Sequence, residues 1–184
     1  MNEQAELRPG VARTNARNDG REFQRQLEVI AGSYHTRGLA YLQKVDPPVA
    51  VVWIPDKRTG EKKQRVIFKQ NPFLDYLGVW TVHHGRMILM EAKSTSGHRL
   101  PAFGEAGFKD KQWAAMKRWR FTGAACCLLW SYAGQVRLWT PELLMVAEAA
   151  GAKSLEFQAG IPVEQGDGLL RWDWLRTLEK KLWP

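Results

Sequence analysis

The sequence predicts an α/β fold in which a mixed central sheet is flanked by helices. Met87–Met90 is apolar at consecutive positions, which is typical of a sheet strand covered on both faces. Phe23, Leu27, Ile30 and Tyr34 recur at the spacing of one helix face, so a helix is expected to pack on this sheet. At 184 residues, the chain is expected to form one domain that buries most of its unfolded surface.

The beginning of the chain is expected to be a tail followed by a helix. Residues 1–18 carry three arginines and lack apolar periodicity, which predicts a flexible basic tail before a single domain over residues 19–184. Asp19 is suited to cap the first helix, with Glu22 three residues further on. Gly38 is suited to end that helix.

Two strands and a basic segment are expected next. Residues 39–45 and 49–54 are predicted strands, because the prolines between them exclude a continuous helix. Residues 56–70, called the basic arm below, hold six cations and two anions. Such a charge run is either a solvated loop or a surface that follows DNA phosphates, since each neutralised phosphate releases counterions. Composition alone leaves both interpretations open.

The run Asn71–Lys93 holds the residues that predict a reactive site. Two apolar segments meet at the turn signal His83–Gly85, so they are expected to form a hairpin. Glu91 and Lys93 project together because side chains two positions apart share a strand face, and the hairpin brings Asp75 within reach. Two carboxylates suit Mg²⁺, which proteins hold with one or two carboxylates, phosphate oxygens and water. The alternative is a solvated salt bridge at a strand end.

The remaining elements are predicted from turn and capping signals. Residues 94–108 contain glycine, proline and serine and are expected to form a loop, in which Arg99 is a candidate phosphate contact. Ile161-Pro162 is expected to lie in a linker, and Trp172 and Trp183 are either core residues or part of a partner surface. The predicted elements are a helix over 109–122, strands over 124–132 and 135–139, a short helix from Thr140 to Gly151 and a last helix from about Gly168.

The overall charge favours an anionic partner. The chain has 27 Lys and Arg against 19 Asp and Glu, which gives a net charge of +8 and a pI near 9.7. Nucleic acid and an acidic membrane surface both match this balance. No apolar stretch approaches the ~20 residues that span a bilayer, and the polar N-terminus lacks the apolar core of a signal peptide. A cytoplasmic protein without a membrane partner is therefore expected.

Asp75 followed by Glu91-x-Lys93 at the end of an apolar strand resembles the signature of the PD-(D/E)xK nucleases. More narrowly, the chain resembles the RecU-type Holliday junction resolvases from about Asn18 to about Glu148. The positions that carry the resemblance agree in order and spacing. They are Asn18, Gly20, Tyr34, Gly38, Ala40, Lys44, Asp75, Tyr76, Gly78, Val79, Gly85, Arg86, Glu91, Ala92, Lys93, Leu100, Pro101 and Gln112.

The resemblance implies a restriction-endonuclease-like fold and a metal-dependent endonuclease that resolves four-way DNA junctions by paired symmetric cuts. It assigns Mg²⁺, with Mn²⁺ as a substitute, to Asp75 and Glu91, and it gives Lys93 and Gln112 supporting catalytic roles. The basic arm corresponds to a projecting stalk that engages the junction. Paired cuts imply a homodimer, and recombination proteins are candidate further partners. The implied DNA contacts are Lys57, Arg58, Lys62, Lys63, Arg65, Lys69 and Arg99.

Two departures from the family pattern bear on alternative functions. Leu74 stands where the family usually has a hydroxyl residue, and Gln24 stands where a glutamate is expected on the first helix. The first alternative is a nuclease of the same core that acts on linear or other branched DNA. The second is a catalytically weak DNA-binding protein that assists recombination. Metal-dependent cleavage separates the enzymes from the binding protein, and junction against linear substrate separates the two enzymes.

Overall fold

A computed structural model describes residues 9–46, 49–55, 58–68, 74–167 and 170–182. The helices in these ranges are α1 (Pro9–Thr36), α2 (Asp110–Phe121), α3 (Pro141–Ala149) and α4 (Trp174–Leu182). The strands are β1 (Ala40–Lys44), β2 (Val49–Pro55), β3 (Lys62–Phe68), β4 (Tyr76–Trp80), β5 (Arg86–Ser94), β6 (Arg99–Gly104), β7 (Phe108–Lys109), β8 (Ala125–Tyr132), β9 (Gln135–Trp139), β10 (Ser154–Glu156), β11 (Ile161–Pro162), β12 (Glu164–Gln165) and β13 (Trp172–Asp173). None of these helices combines the length and apolar character needed to cross a membrane.

The central sheet has six strands in the order β1-β4-β5-β8-β9-β11. Strands β5 and β8 are parallel, and every other neighbouring pair is antiparallel. Helix α2 lies between the two parallel strands in sequence, as a parallel connection requires. The predicted α/β fold with a mixed central sheet flanked by helices is confirmed.

Each face of the sheet is covered by its own apolar core. On one face, α1 and α4 pack against residues that include Ile88 and Met90 of β5. On the other face, α2 and α3 pack against residues that include Leu89. Strand β5 is therefore buried on both faces, as the continuous apolar run predicts. A charged residue in the middle of this strand is removed from solvent by the layers on either side.

Helix α1 begins earlier than the sequence predicts. Its first residue is Pro9 rather than Asp19, and residues 1–8 of the predicted tail lie outside the described ranges. Proline suits the first turn of a helix because its missing N–H would have no partner there. The end of the helix agrees with the sequence, since Gly38 has a φ of 67° and donates its N–H to the carbonyl of His35.

Strands β2 and β3 form an antiparallel hairpin outside the central sheet. The two strands contact each other extensively, but the hairpin makes little contact with the rest of the described chain. The basic arm contributes the turn at Arg58 and Thr59, followed by Gly60 at φ 73°, and the second strand of this hairpin. The hairpin places Arg58, Lys62, Lys63 and Arg65 on a structure outside the two apolar cores.

The segment predicted as a loop over residues 94–108 contains strands β6 and β7 instead. With β10 they form a separate three-stranded sheet. Leu100 and Ala102 are buried between exposed Arg99 and Pro101, so β6 has the alternation of a half-buried strand. The proline and the flanking glycines hid this short alternation in the sequence.

The C-terminal part also differs from its prediction. Ile161-Pro162, predicted as linker, pairs with β9 as the sixth strand of the central sheet. Helix α4 begins at Trp174, whereas its predicted start at Gly168 lies outside the described ranges. Trp172 is buried against α1, so it belongs to the core and not to a partner surface, and Trp183 is outside the described ranges. Whether a short segment joins the edge of a sheet depends on the strand beside it. The local sequence therefore did not predict that Ile161-Pro162 pairs with β9.

Candidate active site

The hairpin of β4 and β5 brings Asp75 beside Glu91. Tyr76, the first residue of β4, pairs with Met90, so Asp75 just before β4 and Glu91 on β5 are neighbours. The carboxylate of Asp75 accepts a hydrogen bond of 3.0 Å from the backbone N–H of Ala92. The turn that joins the strands has His84 and Gly85 at φ 55° and 72°. The structure therefore places the two carboxylates together, as the hairpin signal predicts.

Lys93 and Gln112 complete this group. The ammonium of Lys93 lies 2.7 Å from Glu91 Oε1, and its side chain is 22% exposed while that of Glu91 is 1% exposed. Gln112 donates from Nε2 to the same Glu91 oxygen. Its Oε1 accepts a 3.0 Å hydrogen bond from the backbone N–H of Lys109 at the start of α2. Asp75, Lys93 and Gln112, from three different parts of the sequence, therefore meet around the buried carboxylate of Glu91.

Helix α2 holds Gln112 in place through its apolar face. Trp113 and Met116 are buried in the core beneath the helix, one and four residues after Gln112. The hydrogen bond from the Lys109 N–H fixes the amide plane and also satisfies one of the unpaired donors at the helix start. Gln112 is thus oriented at both ends of its amide.

The environment of Glu91 opposes ionisation in the metal-free protein. Burial raises the pKa of its carboxyl to about 8, and the nearby Asp75 carboxylate adds to the increase, while the Lys93 ammonium acts in the opposite direction. Glu91 Oε2 is buried and has no hydrogen-bond partner among the described residues. An unpartnered buried carboxylate oxygen is costly, and native proteins usually offset it with an opposite charge or an ion.

The donor set fits a hard divalent cation that is shared with a substrate. Among the described residues, no group of three or more His, Cys, Asp or Glu side chains is arranged to hold a metal. Asp75 and Glu91 therefore supply only two carboxylates, which is the usual protein share for Mg²⁺ when phosphate oxygens and water complete the shell. The unpartnered Glu91 Oε2 is the atom best suited to such a ligand role.

The two departures noted in the sequence have structural counterparts. Leu74 is buried in the core on the α2 side of the sheet. Gln24 accepts a 3.0 Å hydrogen bond from the ammonium of Lys44, which also lies 3.8 Å from Glu28. The side chain of Gln24 therefore contacts β1. The sequence had no signal for the pairing of Gln24 with Lys44, because it depends on the docking of α1.

The predicted DNA contacts fall into two regions. Arg99 forms an ion pair of 2.5 Å with Glu156 on β10, apart from the Glu91 group. On the hairpin, Arg58, Lys62 and Lys63 are exposed, and Arg65 lies on β3 opposite Val52. Lys57 and Lys69 lie outside the described ranges.

The sheet brings Asp75 and Glu91-x-Lys93 together at one end of the antiparallel pair of β4 and β5. The family model of RecU (recombination protein U) matches residues 18–161, and the chain belongs to this family. The resemblance stated from the sequence is thereby confirmed.

Individual proteins give weaker similarities. Comparison with single curated sequences gives no match. Among solved structures, the chain is similar to Hjc of Archaeoglobus fulgidus, a Holliday junction resolvase from an archaeal hyperthermophile, with 12% identity and a TM-score of 0.46. That match covers 76% of this chain and 94% of the archaeal chain.

The raised pKa of Glu91 is expected to make the metal-free protein less stable as the pH rises. The ordinary pKa of 4.5 applies to the unfolded chain, and the folded value is about 8, so the folded state holds one more proton between these limits. The contribution of Glu91 to the free energy of unfolding is therefore complete below pH 4.5. It is lost as the pH approaches 8, by up to about 1.4 kcal/mol per pH unit.

Thermal unfolding in EDTA between pH 5 and pH 9 measures this effect. Because Glu91→Gln cannot ionise, its stability relative to the unsubstituted protein is expected to increase with pH across this window. A difference that stays constant from pH 5 to pH 9 would show that Glu91 titrates normally.

Proposed function

We propose that this protein is a Mg²⁺-dependent endonuclease that resolves four-way DNA junctions by paired symmetric cuts. The observation that carries the proposal is the buried carboxylate of Glu91, which lies beside Asp75 and has an unpartnered Oε2 within the described ranges. A divalent cation would offset the cost of burying the Glu91 carboxylate beside a second acid. Membership of the RecU family supports a junction as the substrate.

The side chains of the site would bind and orient the reacting groups. Asp75 and Glu91 would hold Mg²⁺, which when bound polarises the scissile phosphate and lowers the pKa of a coordinated water. Lys93 keeps its ammonium beside Glu91 and is placed to stabilise negative charge that develops on the phosphate. Gln112 restrains Glu91 Oε1 and thereby fixes the direction of the free oxygen.

The chain passes this site both before and after the hairpin of β2 and β3. Asp75 follows β3 in sequence, and its carbonyl accepts a 2.8 Å hydrogen bond from Val45 at the end of β1, where the chain leaves for β2. The exposed cations Arg58, Lys62 and Lys63 are thus carried on a structure rooted beside the carboxylates. DNA phosphates bound along the hairpin would place the neighbouring backbone near Asp75.

Cleavage assays on matched substrates test the proposal. Purified protein is incubated with a labelled four-way junction, or with linear duplexes of the same sequence, in Mg²⁺ or in EDTA. The expected result is cleavage of the junction in Mg²⁺ alone, at symmetric positions in two opposite strands. Equal cleavage of the linear duplex would favour a nuclease of different specificity, and tight binding without cleavage would favour an accessory DNA-binding protein.

Lys93→Ala is expected to slow junction cleavage by ~10²-fold or more, the scale of losing one electrostatic stabiliser of a transition state. Junction affinity should change little, because the hairpin holds most of the DNA-binding charge. Single-turnover cleavage rates at saturating protein measure the loss. Lys153→Ala removes an exposed cation after α3 and should retain the full rate. Unchanged turnover in Lys93→Ala would exclude Lys93 from the chemistry.

A homodimer with two-fold symmetry is the assembly that paired cuts require, since each cut needs its own site. Tyr41 on β1 and Val79 on β4 face each other in the sheet register and are 48% and 42% exposed, so they support an interface at this edge of the sheet. Sedimentation equilibrium at micromolar protein is expected to give about 42 kDa, twice the 21.0 kDa chain.

The same measurement on Tyr41→Asp locates the interface. This variant places a charge in the proposed contact and is expected to sediment as a monomer that no longer makes paired cuts. A stable monomer of the unsubstituted protein, with or without junction DNA, would rule out the paired-cut mechanism.

A further inference from the structure

The hairpin of β2 and β3 carries a large exposed aromatic side chain. Trp53 on β2 is 64% exposed, although tryptophan is usually well buried. Residues of this strand near the turn, including Ile54 and Pro55, are also exposed. Neither apolar core includes Trp53. Its exposure suits contact with a molecule outside this chain.

The strand register places Trp53 among polar and cationic positions. Trp53 pairs with Gln64, and Pro55 pairs with Lys62, so these four positions share one face of the hairpin. Lys63 lies on the opposite face, across from Ile54. Trp53 is four residues after Val49, which forms the first pair of the hairpin with Phe68, so it lies about 13 Å along the strand from that pair. The ring is therefore presented near the outer end, with an exposed ammonium on the same face.

Cations and an aromatic ring recognise different parts of DNA. Lysine side chains bind phosphates of any duplex, so they provide affinity but do not distinguish a branch from a linear helix. An aromatic ring binds the face of a base, and every base has such a face. In a continuous duplex these faces are covered by the neighbouring pairs. At a branch point the stacking is interrupted, and base faces become accessible.

We propose that Trp53 stacks on a nucleobase exposed at the branch point of a DNA junction. The inference rests on the proposed function, because it requires that the β2–β3 hairpin meets branched DNA. Exposed Lys62 on the same face and Lys63 on the other face would hold the phosphates that flank the stacked base. This charge favours a nucleic acid over an apolar protein surface. Trp53 would then determine the preference for branched over linear DNA.

Binding measurements in EDTA test the role of Trp53 without cleavage. Trp53→Ala is expected to weaken junction binding by roughly 5- to 150-fold, the range for losing one base stack, while affinity for linear duplex and the salt dependence stay the same. Trp53→Phe should recover most of the junction affinity, because a phenyl ring also stacks. A 2-aminopurine at the branch point should change fluorescence on binding the unsubstituted protein and Trp53→Phe, but much less with Trp53→Ala.

Phe121→Ala serves as the matched control, since Phe121 is an exposed aromatic residue (84%) at the end of α2, outside the hairpin. It should bind junctions normally. Normal junction binding by Trp53→Ala would overturn the inference, and so would an equal loss on linear duplex. A fall in sedimentation mass of Trp53→Ala would assign the ring to a second copy of the chain and also overturn it. If the unsubstituted protein shows no junction preference, the proposed function fails first, so the two failures are distinguishable.

Discussion

Replacing Asp75 by Asn or Glu91 by Gln is expected to abolish Mg²⁺-dependent junction cleavage while junction binding is retained. Each substitution removes one of the two carboxylates that would hold the cation and leaves the shape of the site nearly unchanged. Binding can become tighter, because removing an anion reduces repulsion of the DNA phosphates. Cleavage rates in Mg²⁺ and dissociation constants in EDTA measure the two effects separately.

Glu148→Gln is the matched control for this pair of variants. Glu148 is an exposed carboxylate on α3 that contacts Lys117, away from the Glu91 group, so cleavage should be unaffected. Addition of Mg²⁺ should raise the unfolding temperature of the unsubstituted protein, because a ligand that binds only the folded state stabilises it. The same addition should have little effect on Glu91→Gln. Wild-type cleavage by either site variant would disprove the metal assignment.

Neutralising the hairpin is expected to produce the largest loss of DNA affinity. With Lys57, Arg58, Lys62 and Lys63 all changed to Gln, the slope of log K against log salt should flatten by up to about four units, at ~0.9 per phosphate contact. The physical reason is that each lost contact no longer releases a condensed counterion. Titrations of a junction and of a linear duplex between low and physiological salt measure the slope. Junction affinity should fall further than duplex affinity if the hairpin enters the branch.

A control with the same change in net charge separates this local effect from the general attraction of a basic protein. Lys153, Arg176, Lys180 and Lys181 are exposed cations remote in sequence from the hairpin, and their replacement by Gln also removes four charges. This control should weaken binding slightly and leave the slope close to its original value. An unchanged slope in the hairpin variant would show that the cations of the basic arm are solvated and do not bind DNA phosphates.

The sequence was most informative where the relevant contacts lie within one strand or one hairpin. Glu91 and Lys93 are two positions apart, and period-two alternation places them on one face whatever surrounds the strand. The turn at His84-Gly85 then brings Asp75 alongside, because both residues adopt the left-handed conformation that the hairpin needs. This part of the site geometry follows from local rules.

Predictions were wrong where structure depends on pairing with distant segments. The strand over Arg99–Gly104 exists because β10 and β7 provide its partners, and its proline and glycine weaken the local strand signal. Ile161-Pro162 joins the central sheet for the same reason. Pairing partners that are far away in sequence provide hydrogen bonds that no local pattern records.

The sequence by itself determined the sheet-and-helix class, the position of the basic arm along the chain, and which two acids and which lysine form the candidate site. Only the tertiary structure decided how far Glu91 is removed from water and which of its oxygens is left without a partner. The docking of α2 places Gln112 on Glu91 Oε1, and the layers on both faces of β5 exclude solvent. Desolvation is a property of all the surrounding atoms together, and the pKa of a carboxyl depends on it directly. The chemical groups are therefore encoded locally, whereas their ionisation is set by the packing of the whole domain.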